Sequence, residues 1–208
     1  MACGDPVLTS TLAHLPDARQ NLAAVGIAKT LAIFFESPII MILHASNTLA
    51  GTQLGRRALW RFTLLAGGIL STVLIILSLP VVFNIVGTSF LGVPPALLAI
   101  VSQVLLLMGL WPFLIAWRRY FQGLLIYHGN SGAIAQASIM RLLTIMLALA
   151  AGVWLNASGA LLAGSSVMLG LIVETLLITW IADRCGATVP PPPSDTVAPQ
   201  NLTEIWHF

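Results

Sequence analysis

The sequence predicts an all-α, polytopic transmembrane helical bundle, and three observations carry that prediction. Of 208 residues, 58% are hydrophobic and only 8% charged, which leaves too little polar surface to coat a water-soluble globule. Five stretches, residues 22–45, 60–83, 96–117, 134–155 and 160–181, are apolar over most of their length, and each supplies the roughly 20 residues that about 30 Å of hydrocarbon requires. Lipid offers the backbone no hydrogen-bond partner, so each stretch is expected to be helical; the lack of short alternating segments argues against a barrel.

Taken in order, residues 5–15 (DPVLTSTLAHL) read as the tail of another helix, ahead of five complete spans. The connections are short, with Gly51, Gly55, Gly92, Pro94, Pro95, Gly129 and Gly132 as breakers, so consecutive spans are expected to be antiparallel neighbours. Pro38 lies inside the first span; it lacks an amide donor and crowds the carbonyl of Phe34, so the helix should open beside Glu36. Pro80 and Pro112 lie near span ends and read as packing features. Gly67, Gly68, Ala148, Gly152, Gly159 and Ala163 read as small residues that let helices approach closely. Residues 1–185 thus form the membrane lobe. The stretch 186–201, with PPPPSDTVAPQ at its heart, reads as a proline-rich cytoplasmic linker, and 202–208 (LTEIWHF) as the start of a further helix that stops short.

Charge placement predicts orientation. Arg56, Arg57 and Arg61 follow the first span, Arg118 and Arg119 close the third and Arg184 closes the fifth, whereas the loops 84–95 and 156–159 carry no Lys or Arg. The positive-inside rule then puts the arginine side in the cytoplasm of a multi-pass protein of the inner (plasma) membrane. No short apolar leader with a small-residue cleavage site opens the chain, so insertion is expected to rely on the spans. A net charge of +2 from nine Lys and Arg against seven Asp and Glu is too sparse for a nucleic-acid footprint. Cys3 and Cys185 stand at opposite ends with no His/Cys cluster beside them, so neither a disulfide framework nor a metal or cofactor is implied.

Several segments resemble one family. Residues 17–28 (DARQNLAAVGIA) follow a short loop, residues 61–97 run into a G-x-x-x-x-G-V-P-P turn, and 117–129 (WRRYFQGLLIYHG) contain an R-x-x-x-Q-G pattern. These are similar to helices two to four of multidrug and toxin extrusion (MATE) transporters. With Glu36, Ser37 and Pro38 inside FFESPIIMILHAS, the chain resembles a divergent bacterial branch of that superfamily near the progressive ankylosis proteins. The resemblance implies one of two six-helix lobes around a central cavity, with an interlobe linker at the proline-rich stretch and the start of helix seven at LTEIWHF. It also implies a second six-helix lobe as partner. The family's coupling carboxylates, on helix one or in the second lobe, do not map onto any position here.

Four residues that are costly to bury lie well inside the spans: Lys29, Glu36, Arg141 and Glu174. Burying an ionised side chain at mid-span costs on the order of 3 kcal/mol on insertion scales, so such groups face a bundle interior or a water-filled path. Lys29 precedes Glu36 by two turns, about 10 Å along one face, and His44 follows it. Lys29, Glu36, Pro38 and His44 therefore read as a polar track able to carry protons or cations, or as a buried structural network. Arg141 and Glu174 lie at matching depths on neighbouring spans and read as an ion pair that fastens helices or gates a path, with Glu36 as a competing partner.

Three functions follow for comparison. One is a lobe of a secondary transporter or flippase that moves an organic or amphipathic solute, with H+ or Na+ coupling, in contact with membrane lipid. A second is a non-transporting membrane fragment or assembly partner. The third, an intramembrane enzyme, is disfavoured because no HExxH, GxSxG, paired-glutamate or paired-aspartate motif occurs in the spans.

Overall fold

The computed structural model describes residues 4–14, 17–155 and 158–189. The expected linker at 186–201 lies mostly, and the helix start at 202–208 wholly, outside the described residues. Among those described, nine α-helices and no strand are present: α1 Gly4–Ala13, α2 Ala18–Glu36, α3 Ile42–Leu49, α4 Gln53–Ser78, α5 Pro80–Ser89, α6 Pro95–Leu107, α7 Trp111–Tyr127, α8 Ser131–Trp154 and α9 Gly159–Arg184. They make five elements long and apolar enough to cross a membrane: Ala18–Leu49, Gln53–Ser78, Pro95–Tyr127, Ser131–Trp154 and Gly159–Arg184. The protein is a multi-pass, all-α membrane bundle. Large apolar side chains on its outer faces, such as Leu65, Ile69, Leu147 and Leu176, are exposed, as expected of a surface solvated by acyl chains.

Two spans are discontinuous. In the first, α2 stops at Glu36, a 3-10 turn covers Ser37–Ile39, and α3 resumes at Ile42. The cause is local: Pro38 cannot donate, and the Ser37 amide closes α2 onto the carbonyls of Ile33 and Phe34. In the third, Met108 to Leu110 interrupt α6 and α7 ahead of Pro112, and the Trp111 amide bonds the Met108 carbonyl at 2.8 Å. The third span then runs on to Tyr127, ten residues past the expected end at Trp117. Arg118 and Arg119 had looked like its closing charges. The apolar run from Tyr120 to Tyr127 keeps the helix in register past them, so both arginines lie within the span.

The second span ends early, at Ser78 instead of Phe83, because Leu79 is extended (φ −61°, ψ 132°) and Pro80 starts the separate helix α5. The Ser78 carbonyl released by this break accepts a hydrogen bond from Ser102 Oγ of α6 at 3.0 Å. Likewise the Phe113 amide, near the start of α7, donates to Ser71 Oγ of α4 at 2.9 Å. Buried hydroxyls thus replace the solvent that broken membrane helices lack.

Packing departs from simple succession. The second and third spans pack closely, as do the fourth and fifth, but the first packs mainly on the third, α2 on α6 and α3 on α7, and less on α4 and α9. The third and fifth spans are the most buried and form the centre. α7 meets α3 through Gly123, where a Cβ would collide with Ser46 and come within 3.0 Å of the Leu43 carbonyl. Gly67 similarly admits Ala116, whereas Gly68 faces open space and has no such role. Trp60 of α4 stacks edge-on against Trp117 of α7 with centroids 4.9 Å apart, and Trp117 Nε1 donates to Thr179 Oγ1 of α9 at 3.0 Å.

Arg56, expected to be a loop charge, is buried. Its Nε donates to the Ala50 carbonyl at 2.7 Å, and its Nη1 donates to those of Ala187 and Val189 at 3.0 and 2.8 Å. One guanidinium therefore clasps the turn before α4 to the segment after α9. Arg56→Met should remove this clasp and lower stability by at least about 2 kcal/mol, since a single charged hydrogen bond contributes about 1.5 to 3 kcal/mol. Thermal unfolding of purified protein in detergent checks it.

Candidate functional site

Four helices each send one stripe of side chains to the same interior point. On α2 the stripe is Lys29, Ile33 and Glu36; on α7 it is Trp111, Ile115, Arg118 and Gln122; on α8 it is Ser138, Arg141 and Ile145; α9 supplies Glu174. Spacings of three and four residues put each set on one helix face. Most of these side chains line a cavity of about 510 Å³, along with Arg119, Ile139, Leu142 and Val167.

Glu174 is the hub. It is 1% exposed, and its Oε2 accepts from Nη1 of Arg118, itself 3% exposed, in a direct ion pair. Arg141 Nη1 lies 3.3 Å from the same oxygen, and Ser138 Oγ donates to Oε1 at 3.1 Å. The pairing expected between Arg141 and Glu174 is therefore present, but as one arm of a three-donor arrangement. The dominant partner, Arg118, comes from the extended third span. Glu36, the alternative partner for Arg141, turns elsewhere: its Oε2 accepts from Trp111 Nε1 at 3.2 Å, and Arg119 Nη2 stands 4.0 Å from its Oε1.

That hydrogen bond joins the two discontinuities. Glu36 is the last residue of α2 and Trp111 the first of α7, so the breaks in the first and third spans meet at a buried contact in the cavity wall. The expected polar track is assembled only in part. Lys29 lines the cavity and Glu36 lies behind Trp111, but Pro38 and His44 are exposed. His44 falls past the 3-10 turn, which changes the azimuth of α3 relative to α2 and carries the ring away from the Lys29 and Glu36 stripe.

The site's electrostatics are one-sided. Lys29, Arg118, Arg119 and Arg141 line the cavity around Glu174, the acidic residue among the described lining, with Glu36 reaching Arg119 from the wall. Among the described residues, the buried Nε atoms of Arg118 and Arg119 have no hydrogen-bond partner. Guanidinium groups present several N–H donors in a rigid fork suited to oxyanions, and here part of each fork is unmet.

Sequence reasoning did not identify Trp111, Arg118, Arg119, Gln122 or Ser138 as site residues. The available signal was the stripe Trp111, Ile115, Arg118, Gln122 running through an apolar stretch that does not end at Trp117. Among the described residues no group of three or more His, Cys, Asp or Glu could hold a metal ion, and Cys185 is an exposed free thiol. Compared with protein families, with curated proteins and with solved structures, the chain matches none.

Proposed function

We propose that this chain is one lobe of a secondary transporter or flippase, moving an organic or amphipathic solute across the inner membrane with ion coupling. The observation that carries the reading is the meeting of two broken spans, through Glu36 and Trp111, at the wall of a charged cavity inside a lipid-facing bundle. Discontinuous helices bordering polar sites at mid-membrane depth are how many carriers build a binding centre that can rearrange, and ionisable groups at that depth mark pathways. The resemblance to MATE transporters supports the same reading and adds a second six-helix lobe to close the cavity.

The orientation belongs to this proposal. Arg57, Arg61 and Arg184 are exposed, and the Arg56 clasp brings the start of α4 beside the segment after α9, so the three share one end. The positive-inside rule assigns that end to the cytoplasm.

The test is flux. Full-length protein in liposomes with an entrapped pH dye should respond to members of a panel of organic cations, organic anions and headgroup analogues, or should speed flipping of fluorescent lipids. Glu36→Gln should lower the rate by about tenfold if the Glu36 contact between the breaks contributes about 1.4 kcal/mol to the moving step. Silence in both assays, with the protein folded and inserted, would overturn the reading.

A further inference from the structure

We propose that the cavity is a binding site for a multiply charged oxyanion of the phosphomonoester type, and that Glu174 is its resident counter-ion, released from Arg118 and Arg141 by taking up one proton as the ligand enters. This deepens the transport reading and rests on it for the direction of use, but the binding chemistry stands on the geometry alone.

Three observations lead there. The first is the excess of cations among the described lining residues, where Arg118, Arg119 and Arg141 stand against one carboxylate, Glu174. A cationic ligand would be repelled, whereas an anion meets donors from α7 and α8. The second is unmet donors. Arg118 is 3% exposed, and its Nε, like that of Arg119, is unpartnered among the described residues. A buried N–H without an acceptor costs about 1 to 3 kcal/mol; a phosphate group brings three strong acceptor oxygens together with the negative charge that guanidiniums match. The third is size and shape. At about 510 Å³ the space falls within the roughly 300 to 1,000 Å³ typical of small-molecule sites, and Ile139, Leu142, Ile145 and Val167 give it an apolar wall. A charged head and an apolar remainder both have a place.

The role of Glu174 follows from what it occupies. Its Oε2 holds Nη1 of both Arg118 and Arg141, the same donors an incoming oxyanion needs. If the ligand takes them, the carboxylate remains buried with only Ser138 bound to it, and an unpaired buried charge is strongly disfavoured. A proton from bulk water resolves this: it adds to the Glu174 carboxylate, the two guanidiniums turn their N–H groups to the ligand oxygens, and no covalent bond to the ligand forms or breaks. The groups facing Glu174 are Arg118 and Arg119 from α7, Arg141 and Ser138 from α8, and, across the cavity, Lys29 from α2; α1, which also packs on α9, carries Asp5. α6, which also packs on α9, carries no titratable side chain. Ligand and proton thus bind together, which would couple oxyanion movement to the proton gradient.

The experiment is calorimetric titration of the full chain in phosphatidylcholine nanodiscs. The free probe is glycerol 3-phosphate, and parallel nanodiscs doped with phosphatidic acid present the same phosphomonoester on a lipid. At pH 7.5 the probe is largely dianionic, its second pKa being about 6, so protons taken up, read from two buffers of different ionisation enthalpy, belong to the protein. Saturable binding with uptake approaching one proton is expected. Arg141→Gln should weaken it about tenfold, the equivalent of one charged hydrogen-bond arm. Arg119→Gln, at a less buried position, should weaken it as well and serves if Arg141→Gln does not fold. Glu174→Gln should bind more tightly and take up no proton. Competition by phosphatidic acid identifies a lipid headgroup as the source, and its failure to compete identifies a soluble one. No saturable binding of either probe, binding unaffected by both cation variants, or proton uptake that persists in Glu174→Gln would overturn the inference. Solute flux without oxyanion binding would sink this inference and leave the transport reading intact, whereas oxyanion binding without flux would do the reverse.

Discussion

Replacing Arg118 with Met should destabilise the protein by about 3 kcal/mol, because removing one partner of a buried ion pair strands the other. The stranded group is Glu174, which is 1% exposed and would keep only Arg141 at 3.3 Å and Ser138 at 3.1 Å. For a chain of this size that loss corresponds to a fall of about 6 to 12 °C in the unfolding midpoint. The companion result is the informative one. Arg118→Met combined with Glu174→Leu should recover most of the loss, since a buried pair replaced by apolar residues of similar volume is often neutral or stabilising. A double-mutant cycle of thermal unfolding in one detergent measures both. If the double variant is as unstable as the sum of the single ones, Arg118 acts through packing on α7 and not through Glu174.

Trp111→Ala should cost about 3 to 5 kcal/mol, the range for emptying a buried aromatic site, because the indole is 2% exposed at the junction of the two breaks. Trp111→Phe separates volume from hydrogen bonding. It keeps most of the ring but removes the Nε1 donor to Glu36 Oε2, leaving a buried carboxylate with Arg119 at 4.0 Å, and should cost about 1 to 3 kcal/mol. In a Glu36→Met background the Phe substitution should be nearly silent. Equal costs of Trp111→Phe with and without Glu36 would show that the indole N–H does not tie α2 to α7.

Much of this architecture was legible from residue order. The five spans are visible because hydropathy over some 20 residues is a sum of local contributions that does not depend on neighbouring helices. The opening beside Glu36 was legible too, since Pro38 removes a donor whatever surrounds it. Boundaries set by charge were misread. Arg118 and Arg119 looked like the end of a span, yet Tyr120 to Tyr127 carry the helix on, and a charge inside a span is tolerated once a partner is at hand. The burial of Arg56 is not legible in its own loop, because its acceptors, the carbonyls of Ala187 and Val189, lie at the far end of the chain.

The candidate site was legible in its members more than in its wiring. Lys29, Glu36, Arg141 and Glu174 stood out as costly residues in apolar surroundings. Which of them meet depends on helix azimuth, and azimuth is altered by the 3-10 turn at Ser37–Ile39 and by the interruption before Trp111. The first break swings His44 out of the stripe; the second turns Trp111 toward Glu36, which leaves Arg118 to take Glu174.

By itself the amino-acid order determined that this chain is helical and lives in lipid, because those properties follow from composition and from the need of every backbone group to be satisfied within its own segment. Only the tertiary structure decided that Arg118 shares Glu174 with Arg141, that Glu36 joins two broken helices, and that four cations converge on one cavity. Such choices are made by contacts between residues tens of positions apart, where small rotations of whole helices select which buried charges can neutralise one another.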